Sequence, residues 1–162
     1  MDNNITLLKI DDKNIFSYKV KLLQSLTFHP DMNRATRERG LLEEIIKLTQ
    51  KNKTILYLLK NNTEILGLIA LSASSVDDIP VVQVDYLFVD FRYRKIIIED
   101  IKNTVSKYLL LFAVNVSENI KQTIGVKYLA LYPDAQSDTL IYHYKEMGFN
   151  VLNKYWLVIK LK

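Results

Sequence analysis

Hydrophobic positions along this chain switch between two periods, and the switches divide it into elements. Ile5 to Ile10 is a short apolar run that predicts a strand. From Asn14 to Leu26, the residues Ile15, Phe16, Val20, Leu22, Leu23 and Leu26 fall near helical spacing. Phe28-His29-Pro30-Asp31 ends that pattern, and a second helix is predicted from about Arg34 to Gln50, with Leu41, Leu42, Ile45, Ile46 and Leu48 inward. Asn52 marks a turn. Thr54 to Lys60 reads as a strand, Asn61-Asn62 as a turn, and Ile65 to Ser74 as the returning hairpin strand. Asp77-Asp78-Ile79-Pro80 turns again into a strand over Val81 to Val89.

The second half begins with a long helical pattern, predicted from near Lys95 to about Thr123, with Asn115 as a candidate break and Gly125 as the stop. Lys127 to Tyr132 is a strand that Pro133-Asp134 ends. Ser137 or Asp134 is the candidate cap of a helix finishing before Gly148. Phe149 to Leu152 and Tyr155 to Leu161 close the chain as a hairpin through Asn153-Lys154. This order predicts an α/β fold: a mixed sheet with helices on both faces. Val81–Val89, the long helix and Lys127–Tyr132 form a parallel crossover unit.

Composition narrows the chemistry. With 162 residues, 49% hydrophobic and 25% charged, the chain suits a single domain, residues 1–162, with a substantial core. The net charge of +4, from 22 basic and 18 acidic residues, favours an anionic ligand but is too small to indicate nucleic acid by itself. There is no cysteine, which excludes disulfides and thiolate nucleophiles. His29 and His143 lie far apart, so no metal site is expected. The polar start Met1-Asp2-Asn3-Asn4 is unlike a secretory signal, and the longest apolar run, Tyr108 to Val114, is far short of a bilayer span. The expectation is a compact cytoplasmic domain with no membrane segment.

The stretch Val81 to Ile98 carries the strongest local signal: an apolar strand passing through a basic turn towards a helix. A helix start offers N–H groups without a partner in the chain, and Arg92, Arg94 and Lys95 stand at that junction. It reads either as an anion site or as a solvated turn. Asp85 sits within the apolar strand, on the face of Gln83 and Leu87. Desolvation there would raise a carboxyl pKa towards that of a general base; the other reading is an exposed or lysine-paired strand carboxylate.

Two motifs in this order resemble the GNAT superfamily of acetyl-CoA-dependent N-acyltransferases. Asp85-Tyr86-Leu87-Phe88-Val89-Asp90-Phe91-Arg92-Tyr93-Arg94 is similar to that family's central strand and loop entry. Tyr144-Lys145-Glu146-Met147-Gly148-Phe149 is similar to its Tyr-x-x-x-Gly-Phe motif. The resemblance implies a mostly antiparallel sheet of about seven strands. It implies acetyl-CoA as co-substrate, the backbone of Leu87, Phe88 and Val89 along pantetheine, and Arg92, Tyr93, Arg94, Lys95, Ile96, Ile97 and Ile98 around the pyrophosphate. Here Ile97 and Glu99 stand where the family has glycines that let a phosphate approach the backbone.

The resemblance also puts Tyr144 beside the coenzyme sulfur as general acid, since a phenol with a pKa of about 10 is protonated at neutral pH. Asp85 is the candidate base. Without cysteine, the amine attacks the thioester directly. The acceptor is a primary amine of a small molecule, a peptide or an aminoacyl-tRNA, walled by the first two helices and the last hairpin, here with Arg34, Arg37, Arg39, Tyr155 and Trp156. A finer resemblance joins Gly67 to Val76 and Ile79-Pro80 with the hairpin of acetyltransferase toxins, which acetylate aminoacyl-tRNA. The missing glycines motivate a rival, a non-catalytic binding module of the same fold. A homodimer through the last strands is a further possibility, and the same apolar residues would serve a monomer's core.

Overall fold

The computed structural model describes residues 4–133 and 137–162. The expected cap at Asp134 therefore lies outside the described residues, whereas Ser137 does cap the helix that follows, accepting the N–H of Leu140. The described residues form a seven-stranded sheet and a separate two-stranded one. In chain order come β1 (Thr6–Ile10), α1 (Ile15–Ser25), α2 (Met32–Gln50), β2 (Ile55–Lys60), β3 (Ile65–Val76) and β4 (Ile79–Val89). Then follow β5 (Ile97–Ile98), β6 (Asn103–Thr104), α3 (Val105–Lys121), β7 (Tyr128–Leu131), α4 (Asp138–Glu146), β8 (Asn150–Val151) and β9 (Leu157–Lys160). The large sheet runs β1-β2-β3-β4-β7-β9-β8. The pairs β1–β2, β7–β9 and β8–β9 are antiparallel; β4–β7 is parallel, as the crossover unit requires.

The chain folds as two compact units: residues 1–70 with 86–109, and residues 71–85 with 110–162. In the first, Leu42, Ile45, Ile46 and Thr49 of α2 are buried at helical spacing, and the three aliphatic residues join Ile15 and Leu22 of α1 and Leu56 and Leu58 of β2 in one core. β3 is buried at every position from Ile65 to Leu71, the mark of a strand covered on both faces. In the second unit, Val76, Val81, Ala130 and Val158 form a small core with Tyr128 and Trp156 packed against it.

One predicted element changes. The helix expected from Lys95 begins only at Val105 and then runs without a break at Asn115 to Lys121. The intervening residues form a 3-10 turn at Phe91–Tyr93, the β5–β6 hairpin and a second 3-10 turn at Glu99–Ile101. Lys95 and Lys102 have φ of 61° and 55°, which no continuous right-handed helix tolerates. The β-branched run Ile96–Ile98 prefers the extended chain it adopts in part. Thr104 then caps α3, its hydroxyl accepting the N–H of Lys107 (3.3 Å).

The β3–β4 turn is also tighter than predicted. Only Asp77 and Asp78 separate the strands, both with positive φ (50° and 66°), and Pro80 lies within β4. This is the two-residue hairpin geometry usually given to Asn-Gly.

Candidate active site

β4 carries Asp85, Leu87, Phe88 and Val89 of the residues singled out in the sequence. Its parallel register with β7 covers only Val81 to Val84, so Asp85 to Val89 continue the strand past that ladder. The N–H of Asp90 donates to the carbonyl of Leu66 on β3 (2.9 Å). Backbone groups alternate sides along a strand, so those of Phe88 face β3 and those of Leu87 and Val89 face the opposite edge. Gly67 supports this arrangement. A Cβ there would lie 2.7 Å from the carbonyl oxygen of Phe88 and 2.7 Å from Val105 Cγ1. Its missing side chain lets the first turn of α3 sit directly on β3.

Beyond Val89 the chain is held by charge. Asp90 is fully buried and its carboxylate accepts four hydrogen bonds: from the N–H of Thr27 (2.9 Å), the N–H of Arg92 (3.0 Å), Arg92 Nε (2.9 Å) and Arg92 Nη2 (3.0 Å). The remaining nitrogen of Arg92, Nη1, donates to Glu64 Oε1 (3.0 Å), and the Tyr93 hydroxyl bonds Glu64 Oε2. Its hydrogen bonds to Asp90, opposed by desolvation and joined by the charges of Asp90 and Glu64, hold the Arg92 guanidinium above its ordinary pKa. Arg94 donates from Nε to the carbonyl of Val89 (2.8 Å) and from Nη2 to Glu38 Oε1 (3.0 Å), and lies over the rings of Phe88 and Phe91.

These contacts correct the reading of the basic turn. Arg92, Tyr93 and Arg94 belong to a short 3-10 turn capped by Asp90, not to the start of the long helix, and their amides are already used. Phe91 N–H donates to Thr27, Arg92 N–H to the Asp90 side chain, Tyr93 N–H to the carbonyl of Asp90, and Arg94 N–H to that of Phe91. Neither is the turn merely solvated: both arginines bind carboxylates. Lys95 and the side chains of Ile96 and Ile97 are exposed, Ile97 by 71%, and Ile98 is half-buried. The long helix α3 starts at Val105, beside the Thr104 and Ser106 hydroxyls and Lys107. Sequence reasoning missed it, although Thr104 just before a long helical run is a capping signal.

Asp85 and Tyr144 belong to the second unit. Asp85 is half-buried and accepts the Ser72 hydroxyl at Oδ1 (2.9 Å). Tyr144 is half-buried on α4, with its ring edge-to-face on Phe149 at 5.8 Å. The Tyr-x-x-x-Gly-Phe spacing has a structural cause. Gly148 donates to the carbonyl of Lys145 (3.0 Å) and Phe149 to that of Tyr144 (3.1 Å), the paired bonds of a Schellman cap. Gly148 has φ of 103° and turns the chain, which buries Phe149 against the Tyr144 ring. Tyr142 differs. It is exposed, and the hydrogen bond to Glu146 beside it, then the charge of that carboxylate, raises its pKa.

The residues expected near an acceptor divide between the units. Asp31 caps α2 by accepting the N–H of Arg34 (2.9 Å), so α2 starts two residues before its predicted start, at Met32. Arg34 and Arg37 are exposed, and Arg39 lies over Phe28 at 4.9 Å. Near the C-terminus, Tyr132 stacks on Tyr155 (6.0 Å) and meets Trp156 edge-on (5.3 Å). Among the described residues, no group of acidic and histidine side chains could hold a metal ion, and no helix is long and apolar enough to cross a membrane.

The parallel β4–β7 pair inside a mostly antiparallel sheet, with helices between β1 and β2, between β4 and β7 and between β7 and β8, is the GNAT fold. Solved structures share it across nearly the whole chain. AtaTR bound with AcCoA superposes with a TM-score of 0.73 at 20% identity, covering 99% of this chain and 95% of that one. AtaT complexed with acetyl-methionyl-tRNAfMet gives 0.71 at 17%, covering 97% and 95%. A tyrosine-to-phenylalanine mutant of KacT gives 0.69 at 17%, again covering 97% and 95%. No protein-family model matches the sequence, and no curated protein does.

Proposed function

We propose that this chain is an N-acetyltransferase that moves an acetyl group from acetyl-CoA to a primary amine. The observation that carries the reading is the continuation of β4 past its ladder with β7, in a fold shared with AtaTR bound with AcCoA. Leu87 and Val89 turn backbone groups to the edge away from β3, where the amides of an extended pantetheine chain would pair as an added strand. Of the residues expected around the pyrophosphate, Arg92, Tyr93 and Arg94 already bond their amides within the chain, and Phe88, expected along pantetheine, turns its backbone towards β3. The start of α3 fits a phosphate better. The Val105 and Ser106 N–H groups, two hydroxyls and Lys107 suit a pyrophosphate, and the exposed β5–β6 hairpin stands where glycines were expected.

The thioester supplies an activated acetyl group. The amine nitrogen forms the new C–N bond as the C–S bond breaks. Tyr144 holds the proton that the departing sulfur takes, and its ring is oriented by Phe149 and the cap. Asp85, held by Ser72, accepts the proton that the amine loses, directly or through water. The test has two arms. Calorimetry with acetyl-CoA should give saturable binding, and release of free CoA in the presence of pooled amines should depend on Tyr144. Absence of coenzyme binding would favour the non-catalytic module.

A second reading narrows the acceptor to the amino group of aminoacyl-tRNA. It is favoured by the fold shared with AtaT complexed with acetyl-methionyl-tRNAfMet. Transfer of labelled acetyl to charged but not uncharged tRNA would support it, and growth arrest on expression that Tyr144→Phe relieves would strengthen it.

A further inference from the structure

Three aromatic side chains meet at one end of the second unit, where Tyr132 stacks on Tyr155 and touches Trp156 edge-on. The parallel ladder of β4 and β7 ends at Val84 beside Leu131, and the antiparallel ladder of β7 and β9 ends at Leu131 beside Leu157. One step further, Asp85, Tyr132 and Trp156 fall in a single row. Members of a row project to the same face of a sheet, and the ring contact of Tyr132 with Trp156 agrees. A carboxylate therefore stands beside an aromatic cluster, about 4.8 Å away by the spacing of neighbouring strands.

The core does not account for these rings. Trp156 packs against Val76, Val81, Ala130 and Val158, but Tyr132 and Tyr155 stay 46% and 45% exposed. The loop that presents them is nonetheless fixed. Asn153 Oδ1 accepts the N–H groups of Tyr155 (2.9 Å) and Trp156 (3.0 Å), and Asn153 Nδ2 donates to Asp77 Oδ2 in the β3–β4 turn (3.0 Å). Leu152 donates its N–H to the carbonyl of Trp156 (3.0 Å). Rings held open on a fixed loop offer flat apolar area at a small entropic cost, which suits a flat partner. Charge sets which way round that partner lies. Lys154 Nζ sits over the Tyr155 ring at 5.3 Å and repels a second cation there. A positive group belongs instead at Asp85, which the Ser72 hydroxyl orients (2.9 Å).

We propose that Tyr132, Tyr155 and Trp156 are binding residues that select the acceptor as a short arylalkylamine, its ammonium on Asp85 and its ring on the aromatic cluster. The proposal rests on the acetyltransferase reading for what then happens to the amine. The spacing fits, because two carbons between nitrogen and ring put the charge about 5 Å from the ring centre, one strand spacing.

Trp156 is the chain's single tryptophan, so its fluorescence reads the cluster directly and without acetyl-CoA. Phenethylamine should change that emission saturably. Hexylamine, which carries the charge without the ring, should bind about tenfold more weakly or worse. Tyr132→Ala should weaken phenethylamine by about tenfold, whereas Tyr132→Phe, which keeps the ring, should stay within about twofold. Tyr155→Ala serves if Tyr132→Ala fails to fold. Phenylalaninamide has the same spacing in an aminoacyl frame: tighter binding than phenethylamine assigns the ring to an aminoacyl group, and weaker binding assigns it to a free amine. No saturable change with either aromatic amine, equal affinity for hexylamine, or an affinity that both alanine variants leave untouched overturns the proposal alone. Binding of phenethylamine without release of CoA from acetyl-CoA by any pooled amine overturns the acetyltransferase reading, and the acceptor role with it, while the amine site remains.

Discussion

The exit of β4 in the first unit is held by charge, whereas the end of α4 in the second is held by a backbone turn and two rings. At β4, one buried carboxylate gathers four donors and two arginines span to Glu64 and Glu38. At α4, two main-chain bonds, a glycine with φ of 103° and the Tyr144–Phe149 contact suffice. The more conspicuous sequence feature, a cluster of cations, is therefore mostly scaffold. The quieter one presents a tyrosine whose ring is fixed by its own helix cap. A cluster's chemistry cannot be inferred from charge before its partners are known.

Experiments can break this comparison, beginning where the effect is largest. Tyr144→Phe keeps the ring on Phe149 and removes the hydroxyl, so turnover should drop by about 10²- to 10⁴-fold with little change in coenzyme affinity. Steady-state rates beside calorimetry check this, and unchanged turnover removes Tyr144 from the chemistry. Asp90→Ala strips the partners from Thr27 and Arg92 at a fully buried site and should cost about 3 kcal/mol in urea unfolding. A loss under about 0.5 kcal/mol would mean that charge is not what holds the β4 exit.

Gly67→Ala brings a Cβ against a backbone oxygen and Val105, and about 2 kcal/mol is expected as β3 and α3 move apart. Gly148→Ala meets no neighbour, so only its positive φ is penalised, by about 1 kcal/mol, and circular dichroism should show α4 otherwise intact. Ile97→Ser is the smallest change. With that side chain 71% exposed, stability should shift by less than about 0.5 kcal/mol. A larger loss would show the β5–β6 hairpin to be part of the core rather than an excursion from it.

Much of the fold was legible in the residues. Among the described residues, the apolar pattern located the four α-helices and the seven strands of the large sheet, because most of these elements bury one face, and β3 both, and apolar spacing records which. The Tyr144 to Phe149 motif was legible too, since a helix cap is a local structure written in neighbouring residues. The 91–104 segment was not. Its cations read as a helix start, although Ile96–Ile98 and Thr104 pointed to an extended piece and a later cap.

The sequence alone determined the order along the chain of the large sheet's strands and the exclusion of thiol chemistry, both of which depend on residue type and short spacing. Only the tertiary structure decided what Asp90, Arg92 and Arg94 do. Their partners Thr27, Glu38 and Glu64 lie 28 to 63 residues away, and no periodicity records a hydrogen bond across that distance. The same holds for Gly67, whose purpose appears only when Phe88 and Val105 close on it, because a side chain's absence gains meaning from what fills the space.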